Sequence, residues 1–292
     1  MKMIMPGDLP IGGCLFALRK KLSDSGIETA DLDARLLVQA ATGIDHAGMI
    51  MAPERLLSSG EIVAIEEMLQ RRLRREPVSR ILGVREFYGR EFSVTGDVLD
   101  PRPDTETLVN LALRVAADRT SCDILDIGTG TGAIIITLLC ELAQAKGVAS
   151  DISKAALKVA RANSCRHGVE KRLELVETVW CAGIEQRFDI IVSNPPYIAS
   201  ETIDQLDRDV RDYDPHLALD GGRDGLDAYR QLALQCPARM KPGAVILLEI
   251  GFDQADKVAG LFQTQGFVAH SKIEVINKDI AGNDRVVTMV WP

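Results

Sequence analysis

The sequence predicts an α/β protein. A mostly parallel, doubly wound sheet with an antiparallel C-terminal edge hairpin follows a small all-α domain, to which a β-hairpin linker joins it. Three observations carry this. Apolar runs of strand length at 122–127, 147–150, 173–176, 188–193 and 243–250 alternate with helical stretches at 132–143, 153–166 and 226–240, the order that parallel strands with crossover helices require. The runs 267–275 and 284–291 are strand-like but joined by a loop with no helical crossover, which predicts an antiparallel pair at the sheet edge. Before residue 77 the apolar residues recur only at helical spacing. The expected divisions are residues 1–83 for the helical domain, 84–104 for the linker and 105–292 for the sheet domain.

In chain order, Leu15, Leu18 and Leu22 share a helix face and Gly26 is placed to stop that helix. A second helix follows Thr29, carries Leu32, Leu36 and Leu37, and ends near Gly43. A third begins near Ser58, with Glu61 completing a capping-box pattern, presents Ile62, Ile65, Leu69 and Leu73, and ends before Pro77. It closes on the run Arg71-Arg72-Leu73-Arg74-Arg75, read as a solvated face whose cations suit a helix C-terminus, or else as a contact surface for an acidic or RNA-associated partner. Val84 to Val94 places aromatic and β-branched residues on both sides of Gly89, a hairpin pattern. Pro101-Arg102-Pro103-Asp104 is a stiff turn, after which Asp104 or Thr105 can cap a helix bearing Leu108, Leu111 and Val115.

Composition narrows the function classes. With 292 residues, 46% hydrophobic and 26% charged, the chain has room for a large and a small domain. Asp and Glu total 42 against 34 Lys and Arg, a formal charge of −8, which disfavours nonspecific coating of nucleic acid; no direct nucleic-acid contact is expected. The six cysteines are scattered without a CxxC pair, as suits reduced thiols, and the four histidines are too dispersed to suggest a metal site. Met1-Lys2-Met3-Ile4-Met5 running into Pro6-Gly7-Asp8 does not resemble a signal peptide, and no apolar run reaches the roughly 20 residues needed to span a bilayer. A cytoplasmic protein without metal or membrane is expected, and nothing requires more than a monomer.

Three motifs point to chemistry. Asp126-Ile127-Gly128-Thr129-Gly130-Thr131-Gly132 follows the first strand, and its alternate glycines let the backbone turn sharply while leaving room for a ligand at a helix start. A tight strand-to-helix turn without a ligand is the plainer alternative. Asp151 follows the second strand, where a carboxylate can accept both ribose hydroxyls or, more plainly, cap the helix beginning near Ser153. Both features suit a nicotinamide or an adenosylmethionine cofactor. Asn194-Pro195-Pro196-Tyr197 ends the fourth strand as a rigid, extended loop at the crevice where such sheets bind ligands. The Asn194 side-chain oxygen and the backbone carbonyl after it can both accept from one planar NH2 group, while Tyr197 lies against its flat face. That arrangement suits methylation of an amide or amine nitrogen through positioning and electrostatics.

Asn194-Pro195-Pro196-Tyr197 on a glycine-rich adenosylmethionine domain resembles the amino-methyltransferases, and more of the chain is similar to the PrmC/HemK family of release factor glutamine methyltransferases. Glu76-Pro77, Gly83, Glu86-Phe87, Gly89, Phe92, Val98-Leu99 and Pro101-Arg102-Pro103-Asp104-Thr105-Glu106 match its linker. Asp214-Pro215, Leu217 to Gly222, Asp224-Gly225-Leu226, Leu248 to Gly251 and Ala281 to Arg285 match its later segments. The resemblance implies a class I S-adenosyl-L-methionine-dependent methyltransferase fold, Rossmann-like, from a bacterial or organellar source. It implies transfer of a methyl group from S-adenosyl-L-methionine, leaving S-adenosyl-L-homocysteine, to the glutamine of the Gly-Gly-Gln loop of class I peptide chain release factors. By the same resemblance Gly128, Thr129, Gly130, Thr131 and Gly132 cradle the methionine part of the cofactor, Asp151 holds the ribose, and Trp180 flanks the adenine unless it is plain core. Asn194, Pro195, Pro196 and Tyr197 take the glutamine amide, and the helical domain helps grip the release factor. Arg80 stands where the family has tyrosine and Asp100 where it has an apolar residue, departures expected to touch hinge packing more than chemistry. The alternatives are an adenine-specific DNA methyltransferase, which would need a target-recognition region and base flipping, and a noncatalytic module that kept the cofactor fold.

Overall fold

The computed structural model describes residues 9–292; the N-terminal residues 1–8, expected not to be a signal peptide, lie outside the described residues. The chain divides into two compact units, the first ending at Gly83 and the second running Val84–Pro292.

The first unit is helical: α1 (Ile11–Asp24), α2 (Ala30–Thr42), α3 (His46–Met51), α4 (Ser59–Leu73) and α5 (Val78–Leu82). Leu18 and Leu22 of α1 and Ile65 and Leu69 of α4 are buried on the faces read from the sequence. In α2 the buried face is Ala34, Leu37 and Val38, and Leu32, expected on it, is exposed because the helix is turned to bury Asp33 against Arg72. Ser58 and Glu61 form the anticipated capping box. The arginine run departs from expectation. Arg72 is buried, with Nε donating to Asp33 at 2.6 Å. Arg71 pairs with Glu76 and donates to the carbonyls of Arg80 and Ile81, while Arg75 donates to the carbonyls of Ser25 and Gly26. These guanidiniums satisfy backbone oxygens and carboxylates within the unit, and a planar five-donor group does this better than an ammonium. The run is therefore neither a purely solvated face nor a free basic patch.

The second unit opens with the hairpin β1 (Val84–Phe87) and β2 (Arg90–Ser93). Tyr88 and Gly89, both at positive φ, make its two-residue turn, and Phe87 and Phe92 meet edge to face in the core. Then come α6 (Glu106–Ala116), β3 (Asp123–Ile127), α7 (Ala133–Glu141), β4 (Lys146–Asp151), α8 (Lys154–Arg166), β5 (Leu173–Glu177), β6 (Phe188–Ser193), α9 (Arg208–Arg211), α10 (Asp227–Gln235), β7 (Met240–Glu249), α11 (Ala255–Thr264), β8 (Ile276–Lys278) and β9 (Asp284–Val290). The sheet order is β5-β4-β3-β6-β7-β9-β8, parallel from β5 to β7 and antiparallel at β7–β9 and β9–β8. Apolar layers cover both faces, as a parallel sheet requires. The order reverses between β3 and β6, which puts the carboxyl ends of those strands at the crevice where ligands bind.

Two expectations are corrected. The strand expected at 267–275 is reduced to a bridge at Val268, and the edge strand lies later, at β8. Gly266 turns the chain at φ +95°, and the His270 ring accepts from the amides of Lys272 and Ile273, folding that stretch into a turn. Neither Asp104 nor Thr105 caps α6 with its side chain. Asp104 instead pairs with Arg285 at 3.2 Å, and Thr105 turns toward Asn194. Helix α11, which the strand-and-helix pattern did not include, packs Val258 and Phe262 onto the sheet.

Candidate functional site

A cavity of about 430 Å³ opens over the carboxyl ends of β3, β4 and β6. Gly128, Thr129, Gly130 and Thr131 line one wall, Asp151, Val179 and Trp180 another, and Asn194 and Pro196 a third. Gly132, Pro195 and Tyr197 are not among its lining residues.

The glycine loop is held from below. Its first two amides, Gly128 and Thr129, both donate to the Ser150 carbonyl at the end of β4. Gly128, Gly130 and Gly132 lie at φ +74°, +54° and +80°, a region that L side chains enter only with strain. A Cβ at Gly128 or Gly130 would meet nothing within 4 Å, so the space above the loop is open. At Gly132 it would strike Ile136 at 2.6 Å, so this glycine lets the loop pack onto α7. Beneath the loop Asp126 is fully buried and accepts from the Thr129 hydroxyl at 2.7 Å. Burial pushes its carboxyl up to about 7, against the Thr129 hydrogen bond and with the nearby Asp151 charge adding to the rise.

Asp151 ties two elements together. Its Oδ2 accepts from the Gly130 amide at 2.9 Å and its Oδ1 from the Ser153 amide at 2.8 Å. The cap of α8 is Ser153, whose Oγ accepts from Ala156; Asp151 shapes the loop instead. Each carboxylate oxygen still has a free lone pair for a ligand hydroxyl. Trp180 is half-buried, packs against one apolar layer and also lines the cavity, so it has both of the surroundings that were weighed for it. Its backbone sits at φ +55°, an outlier for a bulky residue, and its carbonyl accepts from Ser150 Oγ at 2.6 Å.

The third wall is braced by packing. Tyr197 lies half-buried against an apolar layer, and burial pushes its phenol up to about 12. The Tyr197 carbonyl accepts from Gln254 Nε2 at 2.9 Å, and Ile198 pairs with the segment through Asp220. A Cβ at Gly221 would stand 2.8 Å from the Pro196 carbonyl oxygen, and one at Gly225 only 2.3 Å from that of Tyr197. The segment from Asp214 to Leu226 thus lies directly on the backbone of the Asn194 loop. Arg102 anchors it through Asp214 at 2.6 Å, and Pro215, Leu217 and Ala218 line the cavity mouth.

Sequence reasoning did not single out several residues at this site. Asp100 is buried and lines the cavity, as do Arg102 and Thr105, so the departure at Asp100 sits at the site and not only in a hinge. Glu249 is 1% exposed at the end of β7. Its signal was present, since a lone carboxylate ending an apolar strand is costly unless it has partners. No group of three or more His, Cys, Asp or Glu among the described residues could hold a metal ion. All six cysteines are free, and no helix among the described residues is long and apolar enough to cross a membrane.

The family model described as PrmC N-terminal domain matches residues 15–83, and that described as Methyltransferase small domain matches residues 103–213. The chain is 44% identical to the release factor glutamine methyltransferase of Agrobacterium fabrum over 97% of this chain and 98% of that one. It is 40% identical to the protein of the same name from Caulobacter vibrioides, over 93% of each. Among solved structures, the hMettl16 catalytic domain in complex with MAT2A 3'UTR hairpin 6 superposes with a TM-score of 0.54 at 15% identity, over 68% of this chain and 74% of that one. That likeness shows the fold alone.

Proposed function

The chain belongs to the release factor glutamine methyltransferase family, and from that premise we propose that it methylates the side-chain amide nitrogen of the Gly-Gly-Gln glutamine in class I peptide chain release factors, using S-adenosyl-L-methionine. The single observation that carries this reading is the placement of Asn194 and Pro196 in the same cavity as the open glycine loop and Asp151.

The residues fit the cofactor. Gly128 and Gly130 leave an unfilled cradle, Asp151 keeps acceptor capacity for ribose hydroxyls, and Trp180 offers an apolar ring at the cavity edge. The bound group supplies an electrophilic methyl on a sulfonium, and S-adenosyl-L-homocysteine is the product. Amide nitrogen is a weak nucleophile because its lone pair is delocalised into the carbonyl. In this reading Asn194 Oδ1, in the cavity wall, and the backbone carbonyl that follows it accept from the two N–H bonds, which orients the nitrogen and draws electron density onto it. Such fixed dipoles need no reorganisation during the reaction; the proton displaced from the nitrogen on methylation passes by way of these acceptors to solvent, so no dedicated general base is required. The role given to Tyr197, which packs on the apolar layer and is not in the cavity lining, is to fix this loop from the core side. The helical unit is assigned to gripping the release factor, with the protein acting as a cytoplasmic monomer.

The test is methyl transfer from labelled cofactor to purified release factor and, in parallel, to unmethylated duplex DNA, with mass mapping of the product. A methyl on the Gly-Gly-Gln glutamine is expected. Label on adenine would move the chain to the DNA-directed enzymes, and cofactor binding without label on either would make it a binding module.

A further inference from the structure

A buried carboxyl, that of Glu249, lies beside Asn194 at the ends of β7 and β6. In the pairing of β6 with β7, Ser193 stands opposite Leu248, which sets Glu249 level with Asn194. Glu249 is 1% exposed and its Oε2 has no hydrogen-bond partner among the described residues. Thr105, 4% exposed, meets Asn194 from the same side: Asn194 Nδ2 donates to Thr105 Oγ1 at 3.3 Å. Thr105 and Asn194 both hold the Glu249 carboxyl below where burial alone would put it.

A side-chain amide is nearly the same shape when turned over, so its orientation must come from its partners. A carboxylate accepts and does not donate. Placed behind Asn194, it admits the NH2 end and rejects the oxygen end. The Thr105 hydroxyl, receiving the Asn194 N–H, keeps its own hydrogen free to turn toward the Glu249 carboxylate, and the donors can then run one way. Resting on the proposed role of the Asn194 loop, we propose that Thr105 and Glu249 are positioning residues that hold the Asn194 amide nitrogen inward and its Oδ1 toward the cavity. Turned over, Asn194 would set an NH2 group against the NH2 of the substrate, donor against donor.

The arrangement carries a pH dependence. Burial pushes the Glu249 carboxyl up to about 7, with the Thr105 hydrogen bond, Arg285 and Asn194 opposing the rise and Asp104 adding to it. Arg285 also pairs with Asp279 and Asp104. Tyr197 faces the same space, and Tyr229 donates its hydroxyl to the Glu249 backbone carbonyl at 2.7 Å. Both phenols are raised by burial and stay neutral through this range. Above about 7, Glu249 is an acceptor only and the orientation is enforced. Below it, the protonated carboxyl can donate to Asn194 Oδ1 and the reversed amide becomes allowed, so turnover falls as pH drops.

The experiment compares wild type, Thr105→Val, Thr105→Ser and Glu249→Gln on purified release factor. It measures kcat and KM across the neutral range, cofactor affinity by calorimetry and melting temperature. Thr105→Val keeps the shape and removes the relay, and kcat is expected to fall on the order of tenfold or more with cofactor affinity unchanged. Thr105→Ser should restore turnover, and Glu249→Gln, which cannot titrate, should lose the low-pH limb. Wild-type kcat in a folded Thr105→Val, failure of Ser to rescue, or a limb that persists in Glu249→Gln would overturn the positioning role. The wild-type control separates the two readings. If it leaves the glutamine unmethylated, the functional reading falls and takes this proposal with it, whereas normal wild-type turnover beside an unaltered Thr105→Val removes the positioning role alone.

Discussion

The two sides of the cavity are built by opposite means. On the glycine-loop side, Gly128 and Gly130 face open space, and the wall is made by leaving side chains out. On the Asn194 side, Gly221 and Gly225 are small because backbone presses on them, and the wall is made by filling every gap. A glycine therefore carries different meanings at the two walls. One kind makes room for a ligand, and the other lets one loop hold another in place. Each wall also has a buried carboxyl behind it, Asp126, which accepts from the Thr129 hydroxyl, on the first side and Glu249 on the second.

The comparison breaks most visibly at Asn194. On the proposed mechanism, Asn194→Ala removes the acceptor for the reacting nitrogen and leaves the glycine loop untouched. Turnover should fall by about 100- to 1000-fold, the scale on which preorganised dipoles act, with cofactor affinity retained. Steady-state methylation of release factor beside cofactor calorimetry checks it, and wild-type turnover would end the assignment. Next comes Gly225→Ala on the braced side. Its Cβ would stand 2.3 Å from the Tyr197 carbonyl oxygen at φ +72°, so overpacking and backbone strain act together. A loss of about 3 kcal/mol in folding stability is expected, measured by denaturant titration, with turnover falling as the Asn194 loop shifts.

The two walls also differed in how far the sequence revealed them. The glycine loop and Asp151 lie within 26 residues of chain, Asp126 to Asp151, and their meaning is local: a strand, a turn that only glycine tolerates, a second strand. Such a unit reads from spacing. The support of the other wall is assembled from distant segments, Thr105 with Asn194, Gln254 with Tyr197 and Arg102 with Asp214. No periodicity encodes such pairs, and so Asp104 and Thr105 read as helix caps when both side chains are used elsewhere. Helix α11 was legible in principle, since Val258, Leu261 and Phe262 recur at helical spacing. The strand read at 267–275 failed for a different reason. Its β-branched residues satisfy the pattern, but the His270 turn takes up the amides that a ladder would need.

On the open side the effects are smaller and fall on binding. Asp151→Ala releases the Gly130 and Ser153 amides and, on the proposed function, removes the acceptors for the ribose hydroxyls. Cofactor affinity should drop by about 1.5–3 kcal/mol, the range for hydrogen bonds to a charged group. An unchanged affinity by calorimetry would leave Asp151 as a loop tie alone.

Gly128→Ala is the counterpart of Gly225→Ala and the sharpest test of the comparison. Both positions lie at nearly the same φ, +74° and +72°, so the backbone strain of an added Cβ is matched between them. What differs is the surroundings. At Gly128 the new methyl meets nothing within 4 Å, so only the left-handed strain remains, about 1 kcal/mol of stability. The methyl instead projects into the open space that the proposed function gives to the cofactor, and affinity should fall while the melting temperature hardly moves. Gly225→Ala should show the reverse, a large loss of stability with cofactor affinity nearly kept by the molecules that remain folded. If Gly128→Ala binds cofactor as tightly as wild type, the open loop is not the cradle, and the two walls differ in packing without differing in purpose.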